Sequence, residues 1–431
     1  MKFCRGYRGR IPLVYHAYSS ICEIPMSSAL SENRLSSVVS RIRPSATAAI
    51  AEAARRMASE GRAVISLSTG ELDFDTPEHI QQAAIDAMSQ GQTRYTSVSG
   101  TAALKQAIIG KFQRDNDLTY TADQVIASTG AKQIIFNALL ATLEPGDEVV
   151  FVAPYWVSYP EMVLLTGATP VVVTPEPADD FKLTAQSLAA VLTPKTRWLL
   201  LNSPGNPSGA LYSAEQLQAL GEILRGYPRV LIMSDDIYEP IVFEGRFASF
   251  AQAVPDLYDR TLTINGVSKS HAMTGWRLGY AGGPDWLIKG IELLQSQSTT
   301  NPSSISQAGA VAALNGPQDF IAHWCERLRV RRDHALEVFA SARPLLNVAC
   351  PPAAFYLYVE CAALIGKTTP AGDIITSDVD LCRYLLEDAG VAVVPGTAFG
   401  LAPYFRVSYS VSDEDLKTAC RLIVDACQAL R

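Results

Sequence analysis

From about residue 124 to residue 281 the chain repeats one pattern: a short apolar run rich in β-branched residues, then a longer amphipathic stretch, then another apolar run. The runs predicted as strands cover residues 124–128, 148–152, 171–174, 198–202, 230–234, 261–264 and 279–281. Their continuous apolar character suits strands covered by helices on both faces. Such alternation specifies an α/β fold with a mostly parallel central sheet. In these sheets ligands bind outside the carboxyl ends of the strands, so chemistry is sought in the residues just after each run.

The flanks read differently. Residues 30–43 and 48–60 are expected to be helical and residues 64–68 a strand. Thr76-Pro77 looks like an N-cap followed by proline at the first helical position. Ile80, Ala83, Ala84, Ala87 and Met88 then share one helix face, and Leu104, Ala107, Ile108 and Phe112 share another. Beyond about Pro317 come a long charged helix at 320–340, strands at 354–360, 391–394 and 404–409, and helices at 381–389 and 412–430. This is an α+β pattern, with residues 365–377 as its loosest connection. The expected division is a leader at 1–25, a segment at 26–74 packing with the small domain, a large domain at 75–317 and a small domain at 318–431.

Composition narrows the function classes. With 48% hydrophobic and 18% charged residues the 431-residue chain is globular, and a net charge of −7 offers no general attraction to nucleic acid. No apolar run approaches the roughly 20 residues that span a bilayer. Eight cysteines without a CxxC pair read as reduced thiols of a cytoplasmic protein. No metal site is expected. The leader carries Lys2, Arg5, Arg8 and Arg10 and no acid before Glu23, but lacks a secretory apolar core. A transit-type leader and a true start at Met26 both stay open.

Several junctions carry reactive groups. In Ser128-Thr-Gly-Ala-Lys132, Gly130 and Ala131 can offer backbone N–H groups to an anion at a helix start. Lys132 there opposes the helix dipole, which a bound anion would relieve. Trp156, in Pro154-Tyr-Trp156, can stack on a flat ligand or fill core. Asn202-Ser-Pro-Gly-Asn-Pro-Ser-Gly209 is a stiff loop in which Asn206 can face a pocket or start a turn. In Ser234-Asp-Asp-Ile-Tyr-Glu239, Asp235 and Tyr238 can point the same way. A buried Asp235 needs a cationic partner, whereas Asp236 and Glu239 read as a solvated acidic turn. In Asn265-Gly-Val-Ser-Lys-Ser-His-Ala-Met-Thr-Gly-Trp-Arg-Leu-Gly-Tyr280, the Lys269 amine can form a Schiff base while Ser268 and Arg277 hold a phosphate. Tyr95 lies in a polar loop between helices. Arg406, alternating with Phe405 and Val407 on a strand, suits a carboxylate.

Together these motifs resemble the fold type I pyridoxal-phosphate enzymes, and within them the class I aminotransferases of the bacterial aspartate aminotransferase subgroup. The resemblance also draws on Gly70-Glu-Leu-Asp-Phe-Asp-Thr-Pro77, Tyr155-Trp-Val-Ser-Tyr-Pro160 and Val394-Pro-Gly-Thr-Ala-Phe-Gly400, and runs from about Ser28 to the C-terminus. It implies pyridoxal 5'-phosphate bound covalently to Lys269, which also moves the substrate proton. It implies Asp235 on the ring nitrogen, Tyr238 and Asn206 on the ring oxygen, and Trp156 stacked on the ring. Ser268, Arg277, Gly130 and Ala131 would hold the phosphate, with Tyr95 arriving from a second subunit of a homodimer. Arg406 would bind the substrate α-carboxylate, Gly70 would contribute backbone beside it, and Lys132 a distal carboxylate.

Three positions depart from the usual pattern: Leu72 stands where proline is common, Asp236 where glutamate is, and His271 where an aromatic is. None removes a catalytic group. The implied reaction is ping-pong amino transfer between an L-amino acid, aspartate first, and 2-oxoglutarate. An aromatic or prephenate aminotransferase is the near rival. A pyridoxal-phosphate-binding regulator without catalysis is remote, because it needs a DNA-binding domain that some 25 leading residues cannot supply.

Overall fold

The computed structural model describes residues 35–431. The leader expected at 1–25 lies outside the described residues. Twelve strands are found among them: β1 (Ile65–Ser66), β2 (Val125–Ser128), β3 (Glu148–Val152), β4 (Thr169–Val173), β5 (Thr196–Asn202), β6 (Leu231–Asp235), β7 (Thr261–Gly266), β8 (Gly279–Gly282), β9 (Tyr356–Glu360), β10 (Val391–Ala392), β11 (Val394–Pro395) and β12 (Tyr404–Ser408).

Seven strands form one sheet in the order β2-β8-β7-β6-β5-β3-β4. The pairs from β4 through β7 are parallel, while β8 runs antiparallel to both β7 and β2. Helices cover both faces, and the side chains of β5 show why the runs had to be apolar throughout. Leu200 joins Ile134, Ile135 and Met233 in one core. Its neighbours Leu199 and Leu201 join Leu217, Leu220 and Ile232 in another. The chain steps outward from β3 to β4, then returns to β5 and continues the other way. This reversal opens a crevice at the carboxyl ends of β3 and β5, the usual place for a ligand in a doubly wound sheet.

The C-terminal part packs β9, β12 and β11 as an antiparallel sheet. The helices Asp319–Ala340 and Asp413–Ala429 cover it. β1 pairs in parallel with β10, Ile65 opposite Val391. Leu67 and Leu72, from the same N-terminal stretch, are buried in the core that includes Phe355, Leu357 and Val407.

Several details depart from expectation. Within residues 35–43 the only regular element is the short 3-10 turn Val39–Arg41, in a stretch carrying the helix-weakening Ser36, Ser37 and Ser40. Thr76 does not cap the helix Glu78–Ser89, whose N-cap is Pro77. Its hydroxyl instead donates to Ala272 O at 2.7 Å and accepts from Trp276 Nε1 at 3.2 Å, tying this loop to the one that carries Lys269. Met88 is half exposed, unlike Ile80, Ala84 and Ala87 on the same helix. The strand expected at 391–394 splits at Val393, β10 joining β1 and β11 joining β12. The 365–377 connection is pinned by paired backbone hydrogen bonds between Thr368 and Arg431.

Candidate active site

The ends of β3, β5, β6 and β7 converge with one strand of the C-terminal sheet. β6 ends in Asp235, which is fully buried, and Tyr159 donates its hydroxyl proton to Asp235 Oδ2 at 2.5 Å. The other oxygen, Oδ1, is buried with no hydrogen-bond partner. Burial pushes the Asp235 carboxyl up to about 6, against the lowering effects of the Tyr159 hydrogen bond and the Lys269 charge. A buried carboxylate oxygen without a donor costs several kcal/mol by order of magnitude. Asp236 Oδ2 shares that state, but Asp235 Oδ1 belongs to the carboxylate that Tyr159 and Lys269 surround, and there it suits a cationic N–H.

Lys269 projects from the loop after β7, and its Nζ donates to Gly70 O at 2.5 Å. Burial pulls the ammonium down to about 8. A fraction of the amine is therefore neutral near pH 7, the form that attacks a carbonyl. A Cβ on Gly70 would meet the Tyr356 hydroxyl at 2.6 Å, so only glycine lets this carbonyl approach the lysine.

Beyond the turn that follows Asp235, Tyr238 shares a 2.8 Å hydrogen bond with Tyr356. In the loop after β5, Asn202 receives Asn206 N at 2.9 Å on Oδ1 and donates Nδ2 to Asp235 O at 2.9 Å. That clamp locks the stiff loop against β6 and turns the Asn206 amide inward. Asn206 Oδ1 accepts from Arg406 Nη1 at 2.9 Å.

Arg406 is buried on β12, its guanidinium 4.6 Å from the Tyr356 ring centre and 5.1 Å from that of Phe399. Nη2 donates to Ser68 O, Nε has no partner, and burial holds the group below its usual range. A buried, rigid fork without a carboxylate is incomplete in itself and fits a planar anion.

A second anion cradle lies at the start of the helix Ala131–Thr142. Gly130 has φ +83, and a Cβ there would sit 2.5 Å from Arg277 Nη2; a Cβ at Gly279 would strike Ala131 N. Arg277 itself takes a left-handed φ of 53, an uncommon conformation for a side chain of its size. The guanidinium thus lies beside Gly130 at a helix start where the Gly130 N–H already donates to Ser128 O at 2.7 Å, with Ser268 buried on the same loop. The convergent donors and the unpaired Asp235 oxygen suit a flat phosphorylated cation with a reactive carbonyl, which is the chemistry of pyridoxal phosphate.

Lys132 lies 4.7 Å above the Trp156 ring, and burial followed by the nearby Arg277 charge pulls its ammonium below the usual range. Among the described residues no carboxylate pairs with it. Trp156 also meets Tyr159 edge to face at 5.3 Å. Tyr95 is 89% exposed.

One expectation needs correction. Asp236 and Glu239 are not a solvated turn. Both are buried: Asp236 accepts from Ser234 Oγ at 2.6 Å, and Glu239 pairs with Lys111 at 2.6 Å. His271 is also buried, held by Ser270 Oγ and Ala313 O, and burial pushes it down to about 4. Sequence reasoning missed Tyr159 and Tyr356. Tyr159 stood in the quoted Tyr155-Trp-Val-Ser-Tyr-Pro160 run, three residues after Trp156, and that spacing could have drawn attention to it.

The family description "Aminotransferase class I and II" matches residues 62–423. The chain belongs to that family. This aminotransferase is 53% identical over 378 residues to an aspartate aminotransferase of Rhizobium meliloti strain 1021, covering 88% of this chain and 92% of the relative. It is 51% identical over 399 residues to an aspartate/prephenate aminotransferase of Cereibacter sphaeroides, covering 92% and 99%. Among solved structures, an aspartate aminotransferase from Rhizobium meliloti superposes with a TM-score of 0.88 at 51% identity, over 92% of this chain and all of that one. The Thermus thermophilus aspartate aminotransferase with maleate gives 0.85 at 38% identity, over 91% and 99%. The chain is a pyridoxal-phosphate-dependent aminotransferase with the α/β architecture of fold type I.

Proposed function

We propose that the aminotransferase works chiefly on aspartate and 2-oxoglutarate, with the residues named above in the roles their surroundings suit. Asp235 Oδ1 would face the protonated ring nitrogen, Tyr238 and Asn206 would hold the ring oxygen, and Trp156 would back the ring. Arg277, Ser268 and the Gly130-Ala131 backbone take the phosphate, joined by Tyr95 of a second copy in a homodimer. The exposed position of Tyr95 supports that last assignment. When bound there, the cofactor would supply a carrier for the amino group and a sink for the electron pair on the substrate's α-carbon. Lys269 would hold it through Nζ, and that amine is placed to take and return the α-proton.

Arg406 binds the α-carboxylate, with the Gly70 backbone beside it, and Lys132 the distal one. The single observation that carries this reading is the trio of Lys269, the unpaired Asp235 Oδ1 and the carboxylate-free Arg406 at one crevice. Relatives at about half identity named aspartate aminotransferase support the donor. Relatives named aspartate/prephenate aminotransferase favour prephenate as a second acceptor. No helix among the described residues is long and apolar enough to cross a membrane, and we place the protein in the cytoplasm. We infer a large domain at 75–317 and a small one at 318–431, with the segment at 26–74 packing with the small domain. The seven-stranded sheet falling within the first range and the three-stranded sheet within the second supports that division.

The test follows the visible absorbance of the bound cofactor as aspartate, glutamate, phenylalanine or, in reverse, prephenate is added. Aspartate is expected to convert the spectrum at the lowest concentration and 2-oxoglutarate to restore it. A spectrum that responds to phenylalanine and ignores aspartate would overturn the substrate assignment.

A further inference from the structure

Behind the turn that carries Asp235 and Tyr238 lies a buried polar network that none of the assigned roles uses. Glu239 is its centre. Lys111 Nζ donates to Glu239 Oε2 at 2.6 Å, Asn265 Nδ2 to the same oxygen at 2.6 Å, and Asn116 Nδ2 to Oε1 at 3.0 Å. Lys111 also donates to Asn116 Oδ1 at 2.7 Å, and Gly266 N donates to Asn265 Oδ1 at 2.8 Å. Lys111 is 4% exposed and Glu239 9%. The network forms part of the wall of a cleft of about 750 Å³, which also touches Ser270 and His271 but neither Lys269, Asp235, Tyr238 nor Arg406. It therefore sits at the rear of the cofactor crevice.

Its covalent neighbours give it meaning. Glu239 follows Tyr238, and its own N–H donates to Asp236 O at 2.8 Å, closing the turn that begins at Asp235. Asn265 lies near the end of β7, three residues before Ser268 and four before Lys269. One carboxylate thus ties the turn bearing the ring contacts to the strand end bearing the lysine and a phosphate contact. Buried ion pairs are poor stabilisers compared with apolar residues of equal volume, and their best-attested use is to fix one arrangement. We propose that Glu239, neutralised by Lys111, is a positioning residue that sets the spacing between the two halves of the cofactor pocket. This rests on the site reading above.

Two variants test it. Lys111→Met with Glu239→Gln removes both charges while the new amide can still accept from Asn265 and donate to the vacated Asn116 oxygen. Asn265→Ala leaves the ion pair and cuts only the tie to β7. Each apoprotein is melted, then titrated with pyridoxal phosphate, and the visible circular dichroism of the bound cofactor is recorded. The expected result for Asn265→Ala is affinity weakened about tenfold and dichroism reduced by half or more, with the apoprotein melting temperature lowered by only a few degrees. The double variant, which keeps the tie to Asn265 through a neutral amide, should lose less of both. Wild-type affinity and dichroism in Asn265→Ala would overturn the proposal, even if the double variant fails to fold. Wild-type apoprotein that takes up no cofactor would instead sink the site assignment itself.

Discussion

The front and the rear of the turn at residues 235–239 handle buried charge in opposite ways. At the front, Asp235 Oδ1 and Arg406 Nε are buried without partners, and Lys269 touches only a carbonyl. At the rear, Glu239 receives three donors and Lys111 is matched by an acid and an amide. Asp235 and Glu239 lie four residues apart on one turn and both are buried, so burial alone does not separate them. What separates them is completeness. A finished network is scaffold, while unpaired groups aimed at one crevice are half of an interaction whose other half is a ligand. This is also why the front is expected to be sensitive in turnover and the rear in geometry and stability.

The sharpest way to break the contrast is at the front. Lys269→Ala removes the covalent tie and the proton carrier together, and single-turnover assays should find transamination lowered by about 10⁴-fold or more. Retained activity would move the chemistry elsewhere. Arg406→Lys keeps the charge but loses the planar fork, and about a hundredfold loss in kcat/KM is expected for every amino acid tested, since all share the α-carboxylate. Lys132→Gln should be smaller and selective: about tenfold in KM for aspartate and little for phenylalanine, measured side by side. Equal losses for both substrates would remove Lys132 from the distal carboxylate.

How much of this was legible in the sequence depended on the range of the interaction. The sheet was readable because strands covered on both faces must be apolar along their length, as the opposite cores of Leu199 and Leu200 illustrate. The strand-end residues Lys269, Asp235 and Asn206 were readable because each sits in a local motif of glycine, proline and small polar residues. What was not legible depends on contacts between distant segments. Tyr356 reaches Tyr238 across 118 residues, and Lys111 reaches Glu239 across 128. Local rules therefore assigned Glu239 to solvent. Thr76 shows the same effect at a helix start: a residue with good capping chemistry was recruited by the loop at Ala272 instead.

The finest test sets the two carboxylates against each other in the apoprotein. Burial holds the Asp235 carboxyl at about 6 in the fold, against an ordinary value of 3.8. Between those pH values the folded state binds more protons than the unfolded one, so stability falls as pH rises from about 4 to 6. Above pH 6 the fold carries a charge that Oδ1 cannot satisfy without the cofactor. Asp235→Asn should therefore raise the apoprotein melting temperature by a few degrees at pH 7, with the gain fading as pH falls from about 6 to about 4. The same change should weaken cofactor binding, because an amide offers no charge to a protonated ring nitrogen. Glu239→Gln should do the reverse. It strands Lys111 beside a neutral group, and by the usual cost of a broken buried pair, about 3 kcal/mol, it should lower the melting temperature by several degrees at pH 7. Opposite signs at two carboxylates four residues apart would show that the front acid is kept for its ligand at the expense of the empty fold. Equal signs would mean that both are scaffold.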